Sequence, residues 1–170
     1  MVTYVQGWLV GLGDERSALI PYEIGLRSGS GGCSRSGPIS DDVLESFHLA
    51  AWAVDMCRPE GTTRLTSYDV HLHFPLNHVR AIGPSCRLSF ANSLLQAWPD
   101  DVRYAPSTTI LLGDLTLRGD VLPVGGLETK IETARTAGLT RIVVPLADEP
   151  RYFGTLGVSS LRDLMTSSSV

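Results

Sequence analysis

Apolar and polar positions alternate in two stretches near the amino terminus, 6–12 and 18–26, and this period of two predicts a pair of strands. The second sets Ala18, Ile20, Tyr22, Ile24 and Leu26 on one face. The Gly-Asp-Glu-Arg sequence at 13–16 suits a hairpin turn between them. At 28–38 the chain reads Ser-Gly-Ser-Gly-Gly-Cys-Ser-Arg-Ser-Gly-Pro, which offers no core contacts and high backbone entropy, so a mobile loop is expected there. Ser40 before Asp41 and Asp42 makes a helix start, with a capping hydroxyl and acids at the positive end of the dipole. Leu44, Phe47, His48, Ala51 and Val54 then recur at helical spacing, predicting a helix that stops before Pro59.

Further on, Val70, Leu72 and Phe74 alternate with His71 and His73 in a strand over 69–74. Pro84 and Ser85 open a second helical pattern through Leu88, Ala91, Leu94 and Leu95 to about Pro99, which places Ser85 at a helix N-terminus. Two strands joined around Arg118-Gly-Asp120 are expected over 108–124, then a helix over 127–137 and a strand over 141–144. Strand, helix and strand in this order predict an α/β (α+β) arrangement, mixed sheets packed with helices.

With 170 residues, 43% of them hydrophobic, the chain has material for one substantial core, so we read 1–170 as a single domain. The formal net charge is -4 and the basic residues are scattered, so nothing supplies the basic stripe that grips a phosphate backbone, and no nucleic acid is expected as a partner. The apolar stretch 8–12 is too short and too glycine-broken for a signal peptide or a membrane span, which predicts a soluble chain. Cys33, Cys57 and Cys86 are odd in number and form no Cys-x-x-Cys pair; a reducing compartment, cytoplasm or organelle matrix, follows.

Two residues stand out chemically. A serine hydroxyl needs a base within hydrogen-bond reach to become a nucleophile, and Ser85 at a helix start would have backbone N–H groups nearby to hold an oxyanion. The competing reading is a plain helix cap. At ~100° per residue, Leu127, Ile131, Ala134 and Gly138 form the inward stripe of the 127–137 helix, and Lys130 lies beside it, about 60° from Leu127. There an ammonium would be partly desolvated and its pKa pushed toward the range of a base, unless the side chain snorkels to water.

The surroundings of both residues resemble the proteolytic domain of the Lon protease family over most of the chain. Asp-Val-His-Leu-His-Phe-Pro at 69–75, followed after a loop by Gly83-Pro-Ser85, is similar to the Lon strand, loop and nucleophile. Gly-Asp-Leu-Thr-Leu-Arg-Gly at 113–119 and Val-Leu-Pro-Val-Gly-Gly-Leu at 121–127 resemble the approach to the Lon catalytic lysine, and Lys130 stands at the lysine's position. The first half agrees in layout more than in wording.

The resemblance implies the Lon-protease-domain fold and a serine endopeptidase with Ser85 and Lys130 as a Ser–Lys dyad, passing through an acyl-enzyme. It implies unfolded or regulatory proteins as substrates and a homo-oligomer, a hexameric ring. Three positions depart from the family pattern. Lon sequences typically have an acid before Gly-Pro-Ser, an Ala-Gly pair after it, and a threonine just before the Gly-Glu pair. This chain has Ile82, Cys86-Arg87 and Leu112. Those departures keep open a weakened or inactive Lon-like module for peptide binding or ring assembly.

No Gly-x-x-x-x-Gly-Lys-[Ser/Thr] loop occurs, so no ATPase module and no cofactor are expected in this domain; ATP would belong to a separate module of a parent protein. His71, His73 and nearby His78 lack accompanying acids or cysteines at ligand spacing, so no metal is expected. Cys86 has no evident base beside it and reads as a small buried side chain.

Overall fold

The computed structural model describes residues 2–13, 17–79, 81, 83, 85–98 and 108–166. The two expected amino-terminal strands are β1 (Val2–Leu12) and β2 (Ser17–Ser28), paired antiparallel from Val2↔Arg27 to Leu12↔Ser17. Residues 14–16 of the expected turn lie outside the described residues. Ile20, Tyr22, Ile24 and Leu26 are all buried, as the alternation requires, because one face of this sheet covers the core.

The segment 28–38 departs from its expectation as a mobile loop. Its residues Cys33–Ser36 form β3, which runs parallel to β4 (Tyr68–His73); β4 in turn pairs antiparallel with β2, giving the order β1-β2-β4-β3. The reason is polar, and composition hides it. Asp69 Oδ1 accepts from the backbone N–H groups of Ser30 and Gly32, at 3.1 and 3.0 Å. Ser34 and Ser36 share hydrogen bonds with the rings of His71 and His73. A strand on the solvated edge of a sheet needs ladder and side-chain partners more than buried apolar area.

Helix α1 (Asp41–Cys57) starts where expected: the Ser40 hydroxyl accepts from Val43 N–H at 3.4 Å. Helix α2 (Arg87–Ala97) buries residues on nearly all sides, including Leu88, Ser89, Phe90, Ala91, Leu94 and Leu95, so it is a core helix. It packs on β1 and α1. Phe90 meets Tyr22 edge-on at 4.9 Å and Phe47 at 5.4 Å between ring centroids. At the far end, the Arg58 guanidinium that follows α1 lies 4.2 Å from the Trp98 ring that follows α2, joining the two helix ends.

The second half forms its own small layer. β5 (Thr109–Leu111), β8 (Arg141–Pro145) and β9 (Thr155–Val158) make a parallel sheet, while β6 (Asp114–Leu115) and β7 (Val121–Leu122) form a separate antiparallel ribbon. The two strands expected over 108–124 are thus three short ones. The turn around Arg118-Gly-Asp120 holds, with Gly119 at φ 86° and Thr116 N–H donating to Asp120 O. Helix α3 (Leu127–Thr136) packs Leu127, Ile131 and Ala134 against Ile110, Leu112, Ile142 and Val144.

Gly138 was expected on the inward stripe but is exposed, at φ 86°, because the helix has ended. Leu139 enters the core in its place. Strand β9 and helix α4 (Leu161–Thr166) were not foreseen. Helices and mixed sheets together make the expected α/β architecture.

Candidate active site

Ser85 lies in the turn that leads from β4 to α2, and it is exposed. The helix begins two residues later, with Cys86 as its cap residue and no side-chain capping hydrogen bond. The expectation that Ser85 sits at the helix N-terminus is therefore off by one cap position, and the capping reading fails. Its hydroxyl has a different partner. Lys130 Nζ donates to Ser85 Oγ at 3.0 Å, across 45 residues of sequence. Ile82 and Pro84, which flank this turn in sequence, lie outside the described residues, as does Pro99.

What brings Lys130 there is α3. Gly126 precedes the helix in the left-handed conformation, φ 64°, and its carbonyl accepts from Lys130 N–H. Lys130 is then buried, 5% exposed, with Leu127, Ile131 and Ala134. It does not snorkel. Burial pushes its pKa below the ordinary 10.5, opposed by the neighbouring Cys86 and Asp114. Lys130 is also the only lysine in the sequence, the remainder of the 14 basic residues being arginines. That singularity was legible from the start: the chain places its one primary side-chain amine against a serine.

Around the pair lies a cavity of about 30 Å³, room for roughly one or two water molecules. Leu9, Val10 and Gly11 of β1 and Ile20 of β2 line it together with Gly83 and Leu112. No local signal marked the β1 residues as neighbours of Ser85, since they meet it only through the sheet. Leu112 is 5% exposed and belongs to the α3 core, so this wall of the cavity is apolar.

Arg87 does not line this cavity. Its Nη1 donates to Asp114 Oδ2 at 3.2 Å and to Leu115 O at 3.4 Å, which holds the side chain along β6. Cys86 is buried and its thiol is pushed up to about 12, chiefly by burial, so it stays protonated and is no nucleophile near neutral pH. His71 and His73 stack at 6.4 Å on the outer sheet face with serine partners. Among the described residues no group of three or more His, Cys, Asp or Glu could hold a metal ion. No helix of the described residues is long and apolar enough to cross a membrane.

A family model described as the Lon protease (S16) C-terminal proteolytic domain matches residues 11–154. Among curated relatives, Lon protease homolog 2, peroxisomal, of Homo sapiens is 32% identical over 143 residues, covering 79% of this chain and 16% of that protein. The Danio rerio protein of the same name is 34% identical over 133 residues, 75% of this chain and 16% of its own length. That of Oryza sativa subsp. indica is 32% identical over 124 residues, 69% and 14%. This chain thus spans about a sixth of the length of the relatives it matches.

Proposed function

We propose, since this chain belongs to the Lon protease (S16) C-terminal proteolytic domain family, that it is a serine endopeptidase whose nucleophile is Ser85 and whose general base is Lys130. The single observation carrying this is the 3.0 Å contact between Oγ and an amine that burial keeps below its ordinary pKa.

With Nζ neutral, the Ser85 O–H proton passes to the amine as Oγ attacks the scissile carbonyl carbon. The oxyanion that forms is held by backbone N–H groups at the start of α2. Those of Ser85 and Cys86, in the turn that leads into α2, are the proposed donors. The C–N bond breaks as the ammonium returns its proton to the leaving amine. A water molecule then adds to the acyl-serine, giving its proton to Nζ, and the carboxylic acid leaves as Oγ regains a hydrogen.

Unfolded or regulatory protein chains are the proposed substrates and a homo-oligomeric ring the proposed assembly, and ATP enters only if a separate ATPase module is part of a parent protein. The three free cysteines, Cys33, Cys57 and Cys86, support a reducing compartment, and the relatives named above are peroxisomal by name. Leu112 favours a second reading, a Lon-like module that binds peptide with little or no turnover, because a leucine gives the amine no second hydrogen-bond partner.

The deciding experiment is cleavage of an unfolded protein by the purified chain beside Ser85→Ala and Lys130→Ala, with circular dichroism confirming equal folding. Cleavage lost in both variants supports the dyad. Cleavage that survives Ser85→Ala refutes it, and peptide binding without cleavage by the native chain favours the second reading.

A further inference from the structure

The cavity that Ser85 and Lys130 share is small, and its walls are firmly set. It measures about 30 Å³, and Leu9, Ile20, Val43, Ala81 and Leu111 line it beside those two residues. All five belong to the main core, from 9% exposed at Leu9 to 1% at Val43. Side chains packed on all sides at interior density have little room to yield. Ala81 is pinned by its backbone as well. Its N–H donates to Pro38 O and its carbonyl accepts from Ser40 N–H, both at 3.0 Å, which ties it to the start of the helix that carries Val43.

In an acyl-enzyme the substrate is attached at Oγ. The carbonyl carbon bonds to Oγ, the α carbon follows, and the side chain begins one bond later, so its first atom lies within about 4 Å of Oγ. The space beside Oγ is therefore the space that this side chain meets. A cavity of this size takes one or two groups as large as a water molecule, and a methyl is such a group. The five walls are hydrocarbon. Among the described residues no carboxylate lines the cavity, so a basic side chain would be buried there without a partner.

We propose that this cavity receives the side chain of the residue preceding the scissile bond, and that Ile20 and Val43 close it to all but small apolar side chains. The proposal rests on the Ser–Lys reading above and adds a substrate class to it: chains are cut after alanine-sized residues, and not after leucine, phenylalanine or arginine.

The test uses peptide boronic acids that differ only in the side chain next to boron: glycine, alanine, α-aminobutyrate, leucine, phenylalanine and arginine analogues. Boron accepts Oγ as a carbonyl carbon would, and the hydroxyl proton passes to Nζ, so binding is read by calorimetry without turnover. Each carbon added from glycine to α-aminobutyrate should tighten binding about fourfold. The leucine and phenylalanine analogues should then lose at least about tenfold, because the extra carbons overfill a packed site, and arginine should bind more weakly still. Val43→Ala removes two carbons from the wall and should improve leucine relative to alanine by about tenfold. Ile20→Val, a milder change, should improve leucine in the same sense, and it decides the matter if Val43→Ala does not fold.

Native binding of the leucine or phenylalanine analogue more tightly than alanine overturns the proposal, as does an unchanged order of affinities in the folded wall variants. If every analogue binds alike and binding is lost in Ser85→Ala, the nucleophile stands and only the size restriction falls. If no analogue binds, or binding survives Ser85→Ala unchanged, the Ser–Lys reading falls and takes this inference with it.

Discussion

Lys130 Nζ reaches Ser85 Oγ at 3.0 Å from a position on α3 where its neighbours are Leu127, Ile131 and Ala134. A buried amine is costly as a cation and cheap as a neutral base, so the packing that makes the helix stable also favours the neutral amine that the proposed general base requires.

Replacing that amine separates the two effects. Lys130→Met keeps length and apolar volume, so cleavage of an unfolded substrate should fall by at least about 10²–10⁴-fold while the fold is retained. Stability should respond to pH in a defined sense. The folded-state pKa lies below 10.5, so the unfolded chain binds more protons between that value and 10.5, and native stability rises with pH through this window. Urea midpoints measured across it should rise for the native chain relative to Lys130→Met; parallel curves would contradict a depressed pKa.

The placement of Lys130 and of the core was readable in the sequence, and the reasons are physical. The 3.6-residue period of α3 and the two-residue period of β2 place Lys130 and the core, since each pattern answers to one buried face. What escaped were features resting on distant partners. Strand β3 owes its order to Asp69 and the two histidines, more than 30 residues away. Arg87 meets Asp114 only because β6 is folded against α2. Strand β9 is four residues long with a glycine inside, too short for periodicity to declare it.

Asp69 should act as the anchor of the segment around Ser30 and Gly32. The N–H groups of those two residues hold its carboxyl below the ordinary 3.8, helped by Arg27. Its contribution is therefore complete above that pH and lost as pH falls through the lower folded-state value. In Asp69→Ala, amide hydrogen exchange over 29–36 should quicken at neutral pH, whereas Asp69→Asn, which keeps an acceptor oxygen, should change it little. Equal exchange in the native chain and Asp69→Ala would remove Asp69 from this role.

The three thiols should separate by reactivity. Cys33 is exposed, Cys57 is intermediate, and Cys86 is buried with its pKa raised to about 12. Iodoacetamide at pH 8 should label Cys33 first and Cys57 more slowly, leaving Cys86 untouched until denaturant is added. Mass spectrometry of the digested chain reads the order. Rapid labelling of Cys86 in the folded chain would mean that the cavity at Ser85 opens far more than its packing allows.

Leu112→Thr sets stability against chemistry at one position. Leu112 is buried among Ile110, Leu127 and Ile131, so exchanging its side chain for a smaller polar one should lower stability by roughly 1–3 kcal/mol. The same change puts a hydroxyl on the wall of the Lys130 cavity, at the position where Lon sequences typically carry threonine. A hydroxyl there can accept from the amine and fix its direction toward Oγ, which leucine cannot do. Turnover of an unfolded substrate should therefore rise although the thermal midpoint falls, and the gain should vanish in Ser85→Ala. If both stability and turnover fell, the leucine would be part of a dyad already well oriented by packing alone, and the apolar wall would have to be credited with holding the amine as well as with keeping it neutral.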